Sequence, residues 1–281
     1  MMSTRSLGWL EKKMSILNSF DGSLLKYVSS SGEMSVAATK LEVNPSRILN
    51  LDSNENFFVN SHDLNSILQD VVKDLDLMLY DPNGISNLKK ELGRFAGVPS
   101  ECITVSSGTE QIIDLISNIF LEKGNNVISI VPSFFAYQKR VLLKEAKFVG
   151  VPLNDDLSLN KEAITAKVTP RTRLLFICSP NNPTGNQFEL NKIEAIVDES
   201  PAIVVIDEAY SEFADYSASS LAVKKKNVIV LKTFSKAFGL AGLRFGYAIA
   251  NPEIASLLSE TIPYTVNTIT AKYVSELLTN M

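Results

Sequence analysis

"AIVVIDEAY", residues 202–210, sets the branched run Ile203–Ile206 directly against the carboxylate Asp207. Four apolar residues without alternation read as a strand covered on both faces, because a strand with one wet face would alternate polar and apolar positions. A carboxylate ending such a strand must find a partner or it tends to take up a proton. Taken alone, the segment is equally satisfied by an aspartate capping a strand-to-loop turn.

The same design recurs along the chain. "RLLFICSPNNPTG" (173–185) and "NVIVLKTFSK" (227–236) are apolar runs ending in polar clusters, and "CITVSSG" (102–108), "NVISIV" (126–131) and the short "KFVGVP" (147–152) add further strand-like segments. Between them lie helical patterns, "TEQIIDLISNIFL" (109–121) and "SFFAYQKRVLLKEA" (133–146). Apolar strands alternating with helices predict an α/β fold, a three-layer α/β/α sandwich around a mostly parallel sheet. Upstream, "SHDLNSILQDVVKDLDLMLY" (61–80) and "GISNLKKELGRFAGV" (84–98) carry apolar residues at helical spacing. Residues 1–45, with the serine-rich "YVSSSGEMS", read as a helix or arm followed by a loop.

The polar clusters have a common position. Asn181–Asn182, Asp207 and Lys236 each follow the last apolar residues of a strand, and in an open parallel sheet those carboxyl ends share one edge, where ligands bind. Composition narrows the ligand. A net charge of −4 over 281 residues provides no basic footprint for nucleic acid or an anionic membrane. No segment reaches the ~18 uninterrupted apolar residues of a membrane span, and the first twenty residues lack the apolar core of a signal peptide, so a cytoplasmic protein acting on small molecules is expected. Cys102 and Cys178, far apart in apolar surroundings, read as buried free thiols, and the single histidine, His62, in a polar loop, cannot build a metal cluster.

Neither a Walker loop nor a GxGxxG turn follows a strand. "SSGTEQ" (106–111) instead runs a serine–glycine turn straight into a helix start, where free N–H groups and the positive end of the helix dipole can seat a phosphate; an ordinary capped helix explains the segment equally well by itself. Taken alone, Lys236 reads more readily as an ordinary solvated lysine, but a lysine amine at a strand end in a partly desolvated cleft can form a Schiff base with an aldehyde and later act as a base. Arg244, after "GLAG", offers a permanently charged fork to a phosphate. Together these groups specify an aldehyde phosphate with a ring nitrogen.

At this point the chain resembles the fold-type I pyridoxal-phosphate aminotransferases, most closely the histidinol-phosphate aminotransferase family. The resemblance rests on "LDSNEN" (51–56), "SSGTEQ" (106–111), "CSPNNPTG" (178–185), "DEAYSEF" (207–213) and "TFSKAFGLAGLRFG" (233–246), in family order. It implies pyridoxal 5'-phosphate held covalently by Lys236, with Asp207 paired to the pyridine nitrogen. It further implies that Asn182 and Tyr210 hydrogen-bond the phenolic oxygen and that Phe134 stacks on the ring. Gly108, Thr109 and Glu110, with Thr233, Ser235 and Arg244, would hold the phosphate, and Tyr80 would reach the phosphate of a neighbouring subunit in a homodimer. Asn56 would lie near substrate.

The implied reaction moves an amino group from a small-molecule donor, histidinol phosphate, to a 2-oxo acid, 2-oxoglutarate. The same scaffold also serves aromatic or other amino-acid aminotransferases and threonine-phosphate decarboxylases. The chain departs from the family pattern in two places. "SNENFF" lacks the usual proline after the motif, and nothing after "AKYVSELLTNM" matches the C-terminal region carrying a substrate-gripping arginine. The expected organisation is therefore an N-terminal arm (1–50), a large cofactor domain (51–260) and the start of a shortened small domain (261–281). An enzyme without that arginine could also be a non-catalytic cofactor-binding dimerisation module.

Overall fold

The computed structural model describes residues 51, 53–73, 75–78 and 80–281, and among these two helices precede the sheet; the expected N-terminal arm, residues 1–50, lies outside them. The chain divides into two compact units, Met1–Asn54 and Glu55–Met281. Of the first, Leu51, Ser53 and Asn54 are described, and all three are exposed. All that follows concerns the second.

Helix α1 (Ser61–Lys73) is followed by α2 (Pro82–Ala96). The limits of α2 are written in its sequence. Asp81 accepts the Gly84 N–H at 2.8 Å, Pro82 opens the first turn, and Gly97 closes the helix at φ +66°. A 3-10 turn, Ser100–Cys102, then leads into β1 (Ile103–Ser106), so Cys102 sits ahead of the strand rather than inside it.

The sheet continues through α3 (Thr109–Phe120), β2 (Asn126–Val131), α4 (Ala136–Leu143), β3 (Lys147–Pro152), the short α5 (Lys161–Thr165), β4 (Thr172–Cys178), α6 (Leu190–Glu199) and β5 (Ile203–Asp207). After β5 come α7 (Ser219–Lys224), β6 (Val228–Thr233), β7 (Gly246–Ala250), α8 (Pro252–Thr261) and α9 (Thr268–Thr279). Among the described residues the strands form one seven-stranded sheet in the order β1-β7-β6-β5-β4-β2-β3. Pairs β2–β3, β2–β4, β4–β5 and β5–β6 are parallel, whereas β7 runs antiparallel to both β6 and β1. The mostly parallel sheet expected from the apolar runs is present. The reversed strand β7 is an addition, because "GYAIA" follows β6 too closely to be signalled by an intervening helix.

Alternation along each strand divides the core between the two faces. Val204, Ile206, Val228, Val230 and Ile249 pack with Leu88 and Leu92 of α2, Ile193 and Ile196 of α6, and Val274 of α9. Val205, Ile229, Leu231, Ala248 and Phe176 pack on the other face with Ile112 and Ile116 of α3, Val141 of α4 and Leu258 of α8. Every residue of β6 and β7 is buried, which explains the absence of a polar repeat. Each such Val, Ile or Leu contributes about 1.5–3 kcal/mol of burial. Among the described residues no helix is long and apolar enough to cross a membrane.

Register fixes where the polar groups go. Cys178, Asp207 and Leu231 lie side by side across β4, β5 and β6, and Thr233, Gly246 and Ser106 across β6, β7 and β1. The carboxyl ends of β1, β4, β5 and β6 and the amino end of β7 thus meet at one edge.

Candidate active site

Asp207 is 3% exposed. Tyr137 Oη donates to its Oδ2 at 2.7 Å, and the Ala209 N–H donates to its Oδ1 at 3.1 Å. Burial still pushes the carboxyl above the ordinary carboxylate range; the two hydrogen bonds and the charge of Lys236 pull it back only partly. A buried carboxylate in this state favours a cationic N–H as its third partner.

Lys236 follows β6 in a half-buried turn. Burial lowers the amine below its ordinary value, Glu55 opposes that, Arg244 lowers it further, and Asp207 and Glu110 raise it. The charges felt by Lys236 therefore include three of the residues singled out in the sequence. Its Nζ lies 5.9 Å from the centre of the Tyr210 ring, and Asn182 Nδ2 donates to Tyr210 Oη at 3.4 Å. Asn182 comes from the loop after β4, Tyr210 from the loop after β5 and Lys236 from the turn after β6.

The anion seat is built from backbone. Gly108, at φ +89°, is the N-cap of α3 and places no side chain over the first turn, leaving those N–H groups open. Gln111 reaches back instead, its Oε1 accepting Ser106 Oγ at 2.7 Å and the Ser107 N–H at 2.9 Å, which anchors the turn beside the seat. A Cβ on Gly108 would stand 2.8 Å from Arg244 Nη2, so the guanidinium lies directly on the glycine. Arg244 itself holds φ +55°, a strained conformation for a non-glycine residue of the kind that clusters at functional sites. Thr233 and Ser235 close the end of β6, with their hydroxyls 3.1 Å apart and the Ser235 N–H donating to Thr233 Oγ1 at 3.1 Å.

Gly246 permits this closeness. A Cβ there would meet Thr109 N at 2.8 Å and Gly108 C at 3.0 Å, both backbone atoms that cannot swing aside. Gly246→Ala is expected to push the start of α3 off β7 and weaken binding of a phosphate ester at the seat by at least about tenfold, the ~1–3 kcal/mol scale of overpacking. Isothermal titration with pyridoxal 5'-phosphate checks it.

The remaining predicted residues are placed as follows. Phe134 lies partly buried, its ring edge-on to Tyr137 at 5.6 Å and near Phe135 at 4.8 Å. Asn56 Nδ2 donates to Ala237 O at 2.8 Å while its Oδ1 accepts the Phe58 N–H at 3.0 Å, so its amide clamps the turn that carries Lys236. Gly239, at φ +66°, lets Asn56 and Val59 press against that same turn. Tyr80 is 79% exposed and its ring pairs with that of Tyr264 at 4.8 Å, in a hollow also lined by Leu77 and Met78.

Tyr137 was missed by sequence reasoning. Its signal was available: it stands with Val141 on the buried face of α4, and a buried phenol needs a partner for its hydroxyl. His62 is exposed on α1 beside Asp63, Cys102 and Cys178 are buried free thiols, and burial pushes the Cys178 thiol upward into an unreactive state. Among the described residues no group of His, Cys, Asp and Glu could hold a metal.

The chain is 37% identical over 227 residues to the histidinol-phosphate aminotransferase of Methanocaldococcus jannaschii, a match covering 79% of this chain and 60% of that protein. It is 35% identical over 230 residues to the protein of the same name from Caldanaerobacter subterraneus subsp. tengcongensis, covering 81% of this chain and 66% of that one. The chain thus spans about three fifths to two thirds of the relatives it matches. Among solved structures, the histidinol-phosphate aminotransferase from Sinorhizobium meliloti in complex with pyridoxal-5'-phosphate superposes with a TM-score of 0.74 at 25% identity, covering 81% of this chain and 63% of that one. The aspartate aminotransferase from Thermotoga maritima superposes with a TM-score of 0.76 at 21% identity, over 86% of this chain and 69% of that one, a likeness of fold. The profile described as aminotransferase class I and II matches residues 46–280, and the chain belongs to that family.

Proposed function

We propose that this chain binds pyridoxal 5'-phosphate and catalyses amino transfer, with histidinol phosphate as donor and 2-oxoglutarate as acceptor. One observation carries the reading: a half-buried amine, a buried carboxylate and an arginine-backed helix start converge at one sheet edge. The donor set fits the cofactor. Asp207 is buried with donors from Tyr137 Oη and the Ala209 N–H, and Gly108 leaves the start of α3 uncapped by a side chain beside the Arg244 guanidinium. When bound, pyridoxal phosphate supplies an aldehyde for condensation with amines and a ring that withdraws electrons from the donor's Cα.

The chain's own residues do the rest. The open N–H groups of Thr109 and Glu110, the Thr233 and Ser235 hydroxyls and Arg244 would hold the phosphate, with Gly108, whose own N–H donates to Ser106 O at 2.9 Å, shaping the turn rather than donating to the anion. Asp207 would accept a ring N–H and, by its charge, keep that proton in place. Asn182 and Tyr210 would donate to a phenolic oxygen, and Phe134 would pack against the ring. Burial raises the neutral fraction of Lys236 at a given pH, which suits Nζ first as nucleophile and then as carrier of the Cα proton. Asn56 keeps the Lys236 turn in register.

Relatives at 35–37% identity named histidinol-phosphate aminotransferase support the choice of donor. A second copy of the chain would complete the assembly, and the exposure of Tyr80 leaves its hydroxyl free to serve the partner's phosphate. Residues 51–260 would form the cofactor domain and 261–281 begin the smaller one. The test is spectroscopic. Histidinol phosphate added to the protein loaded with pyridoxal phosphate should bleach its visible band, and 2-oxoglutarate should restore it. A band that neither reagent alters would reduce the chain to a cofactor holder.

A further inference from the structure

Behind the site, on the face of the sheet opposite Asp207, lies a second buried charge cluster. Alternation puts Glu208 and Lys232 on the side of Ile206 and Val230. Lys232 Nζ stands 2.9 Å from Glu208 Oε2, with the two side chains 9% and 2% exposed. The Glu208 carboxylate also accepts Ser217 Oγ at 2.6 Å and the Ala218 N–H at 2.5 Å. Tyr247, directly opposite Lys232 in register, buries a hydroxyl that has no hydrogen-bond partner among the described residues. Glu212 and Glu208 are the charges that act on it.

Stability alone does not account for such an arrangement, since well-packed apolar residues usually replace a buried ion pair at no loss. Geometry suggests another role. Lys232 Nζ makes its second bond to Ser211 Oγ at 2.8 Å, and the Ser211 N–H donates to Glu208 O at 3.1 Å. Ser211 immediately follows Tyr210. The loop from Glu208 to Ala218 is therefore tied at its far end through the Glu208 carboxylate and at Ser211 through Lys232, which sits on the rigid, fully buried strand β6.

We infer that Lys232, held by Glu208, is a positioning residue that fixes Ser211 and thereby aims the Tyr210 hydroxyl at the cofactor's phenolic oxygen. The inference rests on the proposed pyridoxal-phosphate site. It assigns to Lys232 no contact with substrate or cofactor.

The experiment titrates the visible band of the protein loaded with pyridoxal phosphate against pH, alongside the affinity for that cofactor. Losing a donor to the anionic phenolic oxygen strengthens its hold on the neighbouring imine proton, so Tyr210→Phe should move the midpoint upward by roughly 0.4–1 pH unit, the size of one hydrogen bond. Lys232→Met combined with Glu208→Gln, which removes both charges together, should shift it in the same direction. Ser211→Ala should do likewise, and because it leaves the buried pair intact its fold is not at risk. Lys232→Arg should restore the parental midpoint. If Tyr210→Phe moves the midpoint while Ser211→Ala and the double variant do not, the pair is structural only and the inference fails, with the cofactor site still standing. A parental protein that gains no band with pyridoxal phosphate would overturn the site and the inference together.

Discussion

Lys236→Ala should eliminate the visible band formed with pyridoxal phosphate and any borohydride-fixed adduct in the peptide containing residue 236. Turnover should fall by more than about 10³-fold, because proton transfer alone accounts for ~10²–10⁴ and covalent capture is lost as well. The fold should survive, since burial disfavours the charged amine rather than stabilising it. The linkage has a definite sign. With its folded-state value below the ordinary 10.5, Lys236 binds its proton more readily in the unfolded chain, so stability rises with pH between the lowered value and 10.5. The alanine variant should lose that slope in thermal melts of the cofactor-free protein. Lys232 is the nearest sequence competitor, but it is 7% exposed and bonded to Glu208. A fixed adduct on Lys232, or on any lysine other than Lys236, would remove the central assignment.

Asp207→Asn should separate stability from function. The folded-state carboxyl lies above its ordinary 3.8, so the native state binds a proton that the unfolded chain releases. The stability this confers is present below 3.8 and disappears as pH rises through the raised value. An asparagine has no charge to bury, and with its Oδ1 accepting the Ala209 N–H its Nδ2 can donate to the Tyr137 hydroxyl oxygen. The cofactor-free variant should therefore melt at or above the parental temperature at neutral pH, with a flatter pH profile in the acid range. Turnover should drop by about 10²–10³-fold, the scale for removing one electrostatic partner of a developing charge. Equal turnover in the variant would make the carboxylate purely structural.

Much of the site was legible before any fold was built, because strand ends are local features. The run before Asp207 and the run before Lys236 each announce a buried strand, and parallel strands deliver their carboxyl ends to one edge. Gly108 was legible for the same reason, as a turn running into a helix. Tyr137 was only half visible: helical spacing buries its ring, but nothing in "SFFAY" says that its hydroxyl will meet a carboxylate seventy residues away. For Asn56 the sequence indicated a place near substrate but not its bonds: Nδ2 reaches the Lys236 turn at Ala237 O, and Oδ1 accepts the Phe58 N–H within its own loop.

Sequence alone determined the element types, the two-sided burial of the central strands and the edge at which the polar groups collect, since periodicity and capping act within a few residues. Only the tertiary structure decided which strands became neighbours. The reversal of β7 brings Arg244 back to the edge just left by Lys236 and, through the bare backbone of Gly246, against the start of α3. It also sets Tyr247 beside Lys232, behind the site. Strand order and direction are settled by packing across the whole sheet, and no local pattern carries that information.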